Sequence, residues 1–370
     1  MHESRTHGTM DYVLLMIVST IILFGLIVLL SASSPNGYHQ FGDSYYYLKH
    51  QVIFGLIPGI FGLVVFSRIP YTFWKKHAWN LMLISIALLV MVFIPGLAAG
   101  IGTSHSWATV GGIFSFQPSE IVKLTFLFYL AGWLGERDER SVQDMKTGFI
   151  PFLLALGAIA FLLILQPDTG SMSIIAAMSL AVYFVAGARL DYVGGLVIAG
   201  ISGLGLLIAA TPYRAARFTT FLHPELDPKG IGYHINQALL ALGSGGFFGR
   251  GYGHSLQKFQ YLPEVAGDSI FAVIGEEMGF VVTVLTIGLF IVFLWRMVDL
   301  AKRAPDKFSK YVIVGIAAWI MIQAFENIGS MVALMPITGV PLPFISYGGT
   351  SLAILMCAIG VVLNISKSAK

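Results

Sequence analysis

The sequence predicts an all-α polytopic membrane protein of about ten transmembrane helices, with a long, partly helical outer loop between helices seven and eight. Three observations predict it. The 370 residues are 56% hydrophobic and only 11% charged, against the roughly 25% charge of an average soluble domain, and mean hydropathy is +0.79. Apolar stretches recur at the length needed to cross a bilayer core, about 20 residues. Lys and Arg gather in alternate loops, the bias that orients membrane helices.

In chain order the apolar segments are 11–31, 51–67, 78–97, 117–135, 148–166, 171–187, 190–210, 269–296, 311–334 and 349–366. The first, Tyr12 to Leu30, exceeds a signal-peptide core and is followed by more of its kind, so it reads as a retained helix. Only Gly187-Ala-Arg-Leu190 separates the sixth from the seventh. With the N-terminus inside, inner loops hold Arg5; Arg68, Lys75 and Lys76; Arg137, Arg140 and Lys146; Arg189; Arg296, Lys302, Arg303, Lys307 and Lys310; and Lys367 and Lys370. The outer side holds Lys49 and, in one long loop, Arg214, Arg217, Lys229, Arg250 and Lys258. Both termini are therefore expected in the cytoplasm. The net charge of +3 reports this topology and not a nucleic-acid partner. The single Cys357 excludes a disulfide framework and reads as a small buried hydrophobe.

The long outer loop, 211–268, is too long to be a simple connection. Its Tyr233, Leu239, Leu240, Phe247, Phe248, Phe259 and Tyr261 are not the composition of a disordered segment. Ile231, Ile235, Ala238, Leu239 and Leu242 share one helical face. A short amphipathic helix at the outer membrane surface is expected there. A last outer loop covers 335–348. Neither a soluble domain nor an internal repeat is evident, so residues 1–370 read as one membrane domain.

Ionisable groups inside lipid are costly and mark function by default. Glu120 and Lys123 stand at i,i+3 in QPSEIVK, on one helix face and within pairing reach. Asp168 lies where the fifth segment breaks at Pro167, placed to cap the next helix. Glu276, Glu277 and Glu326 lie deeper. The glycine run 243–253 reads either as a loose phosphate cradle or as tight turns at an interface. His223, His234 and His254 match no metal spacing and read as surface histidines. There is no G-x-S-x-G, Walker loop or H-E-x-x-H. Asp268, in YLPEVAGDSIFAVIGEEMG, admits two compatible readings. It is a favoured residue for capping the eighth helix. It is also a partly desolvated carboxylate at a lipid–water boundary, and so a proton acceptor.

The ordered motifs go further. They are Gln117-Pro-Ser-Glu120 with Lys123; Gln166-Pro-Asp168; Arg217-Phe-Thr-Thr-Phe-Leu-His-Pro; Asp227-Pro-Lys-Gly-Ile-Gly-Tyr; Gly253-His-Ser-Leu-Gln-Lys258; Tyr261-Leu-Pro-Glu264 with Asp268; and Pro341-Leu-Pro-Phe-Ile-Ser-Tyr-Gly-Gly349. Together they resemble the SEDS family (shape, elongation, division and sporulation; FtsW, RodA and SpoVE), nearer the FtsW/SpoVE branch, over almost the whole chain. The resemblance implies a ten-helix glycosyltransferase in the bacterial cytoplasmic membrane that polymerises lipid II on the outer face. A class B penicillin-binding protein would be its partner. The family's essential aspartate falls on Asp268. The outer-face cations available to hold the diphosphate are Arg217, Arg250, Lys258 and Arg214, and Glu264, Glu120, Lys123, Ser346, Gly348 and Gly349 are the further substrate-binding candidates. A divalent cation, Mg or Mn, would share in holding the diphosphate, with no motif to fix its site. The family's usual His-Thr before the aspartate is Ala266-Gly267 here, its A-R-R-W is Ser104-His-Ser-Trp107, and the lysine some members carry in the last outer loop is Thr338. The alternative is a transporter that flips a lipid-linked cell-wall precursor. Buried charges and proline-broken helices would suit it, and the missing inverted repeat counts against it.

Overall fold

The computed structural model describes residues 8–94, 106–110, 114–223 and 230–369. Expectations resting on Arg5, Ser104, Asp227, Lys229 and Lys370 lie outside the described residues, as do the side chains of Arg214 and Arg217. Among the described residues, each predicted segment contains helix. The helices of the first half are α1 (Tyr12–Phe41), α2 (Tyr46–Arg68), the short α3 (Tyr71–Lys76), α4 (Ala78–Met91), α5 (Pro118–Gly135), the short α6 (Glu139–Gln143) and α7 (Met145–Leu165). Then follow α8 (Thr169–Val185), α9 (Leu190–Ala210), α10 (Pro212–Leu222), α11 (Ile231–Ser244), α12 (Ile270–Lys302), α13 (Lys307–Met331) and α14 (Gly349–Ser366). Seven of these, α1, α2, α7, α9, α12, α13 and α14, are long and apolar enough to span a membrane by themselves; α4 and α8 are shorter apolar helices. The chain is thus a helical multi-pass membrane protein. A small antiparallel hairpin, β1 (Ala108–Val110) with β2 (Phe114–Phe116), precedes α5 with Thr109 opposite Ser115, a feature absent from the sequence reading.

Local chemistry sets the helix ends. Asp11 caps α1 by accepting the Leu14 N–H at 2.7 Å, and Gly42 closes the helix in the left-handed region, φ 68°. The helix runs ten residues past its predicted end at 31. Hydropathy marks contact with lipid, whereas Ser31 and Ser33 here are buried against protein, and Ser33 satisfies itself by donating to the Leu29 carbonyl at 2.7 Å. Helices α5, α13 and α14 are buried along most of their length and form the centre. Helix α9 exposes its apolar side chains, as a helix bathed in lipid should.

Close approach in lipid depends on small residues. Gly55, Gly59 and Gly62 line the face of α2 that meets α14; a Cβ at Gly59 would lie 2.5 Å from Met356 Sδ, and one at Gly62 would overlap Cys357 Sγ. Cys357 is accordingly a buried packing residue.

The two ends of the bundle differ. At one, the Gly8 N–H reaches the Lys367 carbonyl (2.9 Å), Asp11 pairs with Arg296, Lys307 Nζ donates to the Arg137 carbonyl (2.9 Å) and Lys367 Nζ to the Ser67 carbonyl (2.9 Å). The termini and the basic loops therefore share one end, as the Lys/Arg pattern predicts. The opposite end collects the long loop, the hairpin and the last loop before α14.

Candidate active site

Asp268 stands at the start of α12, half-buried, with its Oδ1 shielded from solvent. The cap position is Ser269, and its side chain makes no capping bond. Its hydroxyl instead donates to the Pro263 carbonyl (2.7 Å) and meets His234 Nε2 at 2.6 Å. His234, expected on the surface, thus ties α11 to the start of α12. The N–H groups of Gly267 and Ser269 both donate to the Glu264 carbonyl, at 2.9 and 3.2 Å. Glu264 itself is exposed, with φ 47°. The segment between Pro263 and Ser269 is therefore a closed turn that presents Asp268.

Two outside groups fix that turn. Asn327 of α13 donates one amide hydrogen to the Asp268 carbonyl (2.7 Å) and the other to the Val340 carbonyl (2.8 Å). The Tyr347 N–H donates to the Ala266 carbonyl at 2.8 Å. The last outer loop is held in turn by Gln51 of α2, which accepts from the Gly348 N–H (2.9 Å) and donates to the Ser346 carbonyl (3.3 Å). Ser346 Oγ accepts the Leu342 N–H at 2.8 Å. A Cβ on Gly349 would lie 3.0 Å from the Phe54 carbonyl. Ser346, Gly348 and Gly349 thus hold the loop beside Asp268 largely through the backbone. Burial, with Tyr46 and Tyr47 nearby, pushes the Tyr347 hydroxyl up to about 12, so it stays protonated beside His50 Nδ1 at 2.9 Å.

A second cluster surrounds Lys258. Its ammonium is buried, 2.7 Å from Glu277 Oε1, and also donates to Ser31 Oγ (2.9 Å) and the Gly253 carbonyl (2.8 Å). Glu276 receives the Leu256 N–H (2.9 Å) and the Ser255 hydroxyl, with Arg250 at 3.9 Å and more exposed. The glycine run packs directly on α12, which breaks at Gly279 (φ 76°, ψ −178°). A side chain at Gly245 would overlap the Gly275 carbonyl, and one at Gly249 the Glu277 carbonyl. Of its two sequence readings, close packing is the one realised. A cavity of about 560 Å³ opens between α1 and this loop, with Leu30, Tyr38, Tyr252 and Phe259 on its walls and Ser31 and Lys258 among its lining.

The third cluster lies between α5, α8 and α13. Lys123 Nζ pairs with Glu120 Oε1 at 2.7 Å and donates to Gln323 Oε1 at 3.0 Å. Gln323 passes the link to the last loop by donating to the Pro341 carbonyl at 2.9 Å. Asp168 caps α8 through the Ser171 N–H (3.0 Å) while its other oxygen accepts from Ser119 (2.9 Å) and Gln117 (3.1 Å). Glu326 accepts from Ser173 at 2.6 Å. Glu120 Oε2 and Glu326 Oε2 are buried with no hydrogen-bond partner among the described residues. Among those residues no three His, Cys, Asp or Glu side chains gather to hold a metal.

The cell cycle protein family of FtsW, RodA and SpoVE matches residues 11–370. The chain belongs to this family. It is 41% identical to stage V sporulation protein E of Bacillus subtilis over 96% of this chain and 97% of that one. It is 39% identical to a probable peptidoglycan glycosyltransferase FtsW of Trichlorobacter lovleyi, over 97% and 94%. Among solved structures it resembles a chain from a peptidoglycan synthase complex that coordinates polymerisation and crosslinking (TM-score 0.78, 26% identity, 97% and 98% covered). It also resembles the rod shape determining protein RodA of Thermus thermophilus (TM-score 0.71, 26% identity, 97% of each chain). Within this FtsW/RodA/SpoVE frame, the sequence points to Asp268 and its flanking loops, whereas Asn327, Gln323, Gln51 and Ser31 enter only with the structure. Gln323 and Asn327 sit at i,i+4 in an apolar helix, a spacing that places both amides on one face and was there to be read.

Proposed function

We propose that this chain is a peptidoglycan glycosyltransferase that polymerises lipid II into glycan strands on the outer face of the bacterial cytoplasmic membrane, with Asp268 as general base. The observation that carries the proposal is a half-buried carboxylate, presented by a turn that two other elements hold fixed, in a chain of this family. The acceptor's 4-hydroxyl oxygen bonds to the anomeric carbon of the growing strand. The bond from that carbon to the phosphate oxygen breaks, and undecaprenyl diphosphate leaves with the electron pair. Asp268 takes the hydroxyl proton, and the configuration inverts. One carboxylate suffices, because a diphosphate departs without the acid catalyst that a sugar leaving group needs.

Fixed positive groups must steady the departing charge. Arg250, exposed at the glycine run, and Arg217 of α10 are the outer-face arginines suited to this. Lys258 acts behind them, its charge matched by Glu277, so it shapes the loop more than it neutralises substrate. Glu120 and Lys123 support the last loop through Gln323. A Mg or Mn ion would draw most of its ligands from the diphosphate, since the described side chains form no metal-holding set. Polyprenyl chains enter from the side, and the cavity beside Tyr38 and Phe259 has the apolar walls they require. The termini lie in the cytoplasm, residues 1–370 act as one membrane domain, and a class B penicillin-binding protein crosslinks the product.

Purified protein, alone and with a class B transpeptidase, supplied with fluorescent lipid II should yield long glycan strands on a denaturing gel. Translocation of labelled lipid II across proteoliposomes with no strand synthesis under either condition would replace this reading with the flippase alternative.

A further inference from the structure

We propose that the cavity between α3, α4 and α5, at the end of the bundle that carries the termini, binds the phosphate headgroup of an acidic phospholipid. The site lies at the opposite end from Asp268 and stands independently of the glycosyltransferase reading. The cavity holds about 390 Å³. A close contact of α4 with α5 forms its floor, where a Cβ on Gly132 would lie 2.7 Å from the Ala78 methyl. Trp79 and Tyr129 meet edge to face at 5.2 Å along one wall. Trp133 lines the cavity as well, with the Arg137 guanidinium 4.2 Å from its ring.

The polar lining is what points to an anion. Lys75 and Lys76 both line the cavity, and neither ammonium has an ion-pair or hydrogen-bond partner among the described residues. Other cations at this end differ: Lys307 donates to the Arg137 carbonyl, Lys367 to the Ser67 carbonyl, and Arg296 pairs with Asp11. Tyr129 is 5% exposed, and its hydroxyl also makes no hydrogen bond among the described residues. Two lysines and a tyrosine therefore border one space. Glu136 borders it too, so the lining carries two lysines against one carboxylate.

The surroundings point to a lipid as the source of the phosphate. Trp79 (64%), Leu83 (65%) and Val90 (42%) are exposed along one face of α4, running from the cavity toward the middle of the bundle. A Trp at the boundary with lysines beside it is the pattern of a helix end at headgroup depth. A phospholipid would fill the cavity with its phosphate and lay an acyl chain along that face, whereas free phosphate would gain only the lysines. Lysines at this depth attract anionic lipid by an amount that, for two, corresponds to roughly a 30-fold change in affinity.

Native mass spectrometry of the purified full chain in detergent, titrated with phosphatidylglycerol, phosphatidylcholine or inorganic phosphate, tests this. Phosphatidylglycerol should be retained, and Lys75→Gln with Lys76→Gln should weaken its binding by about 30-fold. Lys75→Arg with Lys76→Arg should restore it. Lys146→Gln, which removes a positive charge from the same end but outside the cavity, should leave it unchanged. Equal retention of phosphatidylcholine, full displacement by inorganic phosphate, or wild-type binding by the glutamine pair would overturn the proposal.

Discussion

Asn327 uses both of its amide hydrogens on main-chain carbonyls, those of Asp268 and Val340, and so fixes the backbone that carries the proposed base. Replacing it with Leu should leave the protein folded while lowering the polymerisation rate by roughly 10- to 100-fold, the usual consequence of misplacing a reactive group by about 1 Å; strand synthesis against time, with a melting curve as control, measures it. Lys258 makes a different prediction. Its ion pair with Glu277 is buried on both sides, and removing one partner of such a pair costs about 3–5 kcal/mol because the other charge is stranded. Lys258→Met should therefore melt far below wild type, and adding Glu277→Gln should recover much of the loss. The sequence presents Lys258 as an outer-loop cation in a family motif, with a substrate-binding role expected of it. That it faces Glu277, nineteen positions on, depends on how the loop folds back over α12, which no local pattern records. Asp168, by contrast, was legible as a cap because capping needs only the three residues that follow it.

At the scale of elements, the break in α12 organises the outer loop. Gly279 adopts φ 76° and ψ −178°, a region open essentially to glycine alone, and the glycine run fills the space beside it. The Phe280 and Val281 N–H groups freed by the break donate to the Gly246 and Phe247 carbonyls at 2.9 and 3.2 Å. Gly279→Ala should cost more than the roughly 1–3 kcal/mol of backbone strain, because its methyl would also overlap the Gly249 nitrogen; a lowered melting temperature in detergent is the readout. The helix at 231–244 was readable from its periodicity, but its face only in part: Ile235 and Ala238 are buried as expected, Leu242 is half-buried, Leu239 is exposed, and Ala241, outside the expected face, is buried. The kink in α12 was not readable, since a glycine in a long apolar run looks the same whether the helix bends or passes straight through.

For the molecule as a whole, the helical multi-pass architecture and the end shared by Gly8 and Lys367 followed from composition and charge, because the bilayer imposes both. The depth of each polar cluster did not, since it arises from contacts between helices far apart in sequence. Orientation has its own test. Cys357 is the chain's single cysteine and is buried, so introduced thiols report alone. A membrane-impermeant maleimide should label Phe248→Cys, whose site is 85% exposed, in intact spheroplasts, and Lys302→Cys only after permeabilisation; the reverse order would invert the topology. Lipid II polymerisation should depend on Asp268 above any other residue. The most direct measurement is lipid II polymerisation by purified Asp268→Asn beside wild type, with matched melting curves. Loss of strand synthesis by at least about 10²-fold, at unchanged stability, is the predicted result; strands made at the wild-type rate would contradict it.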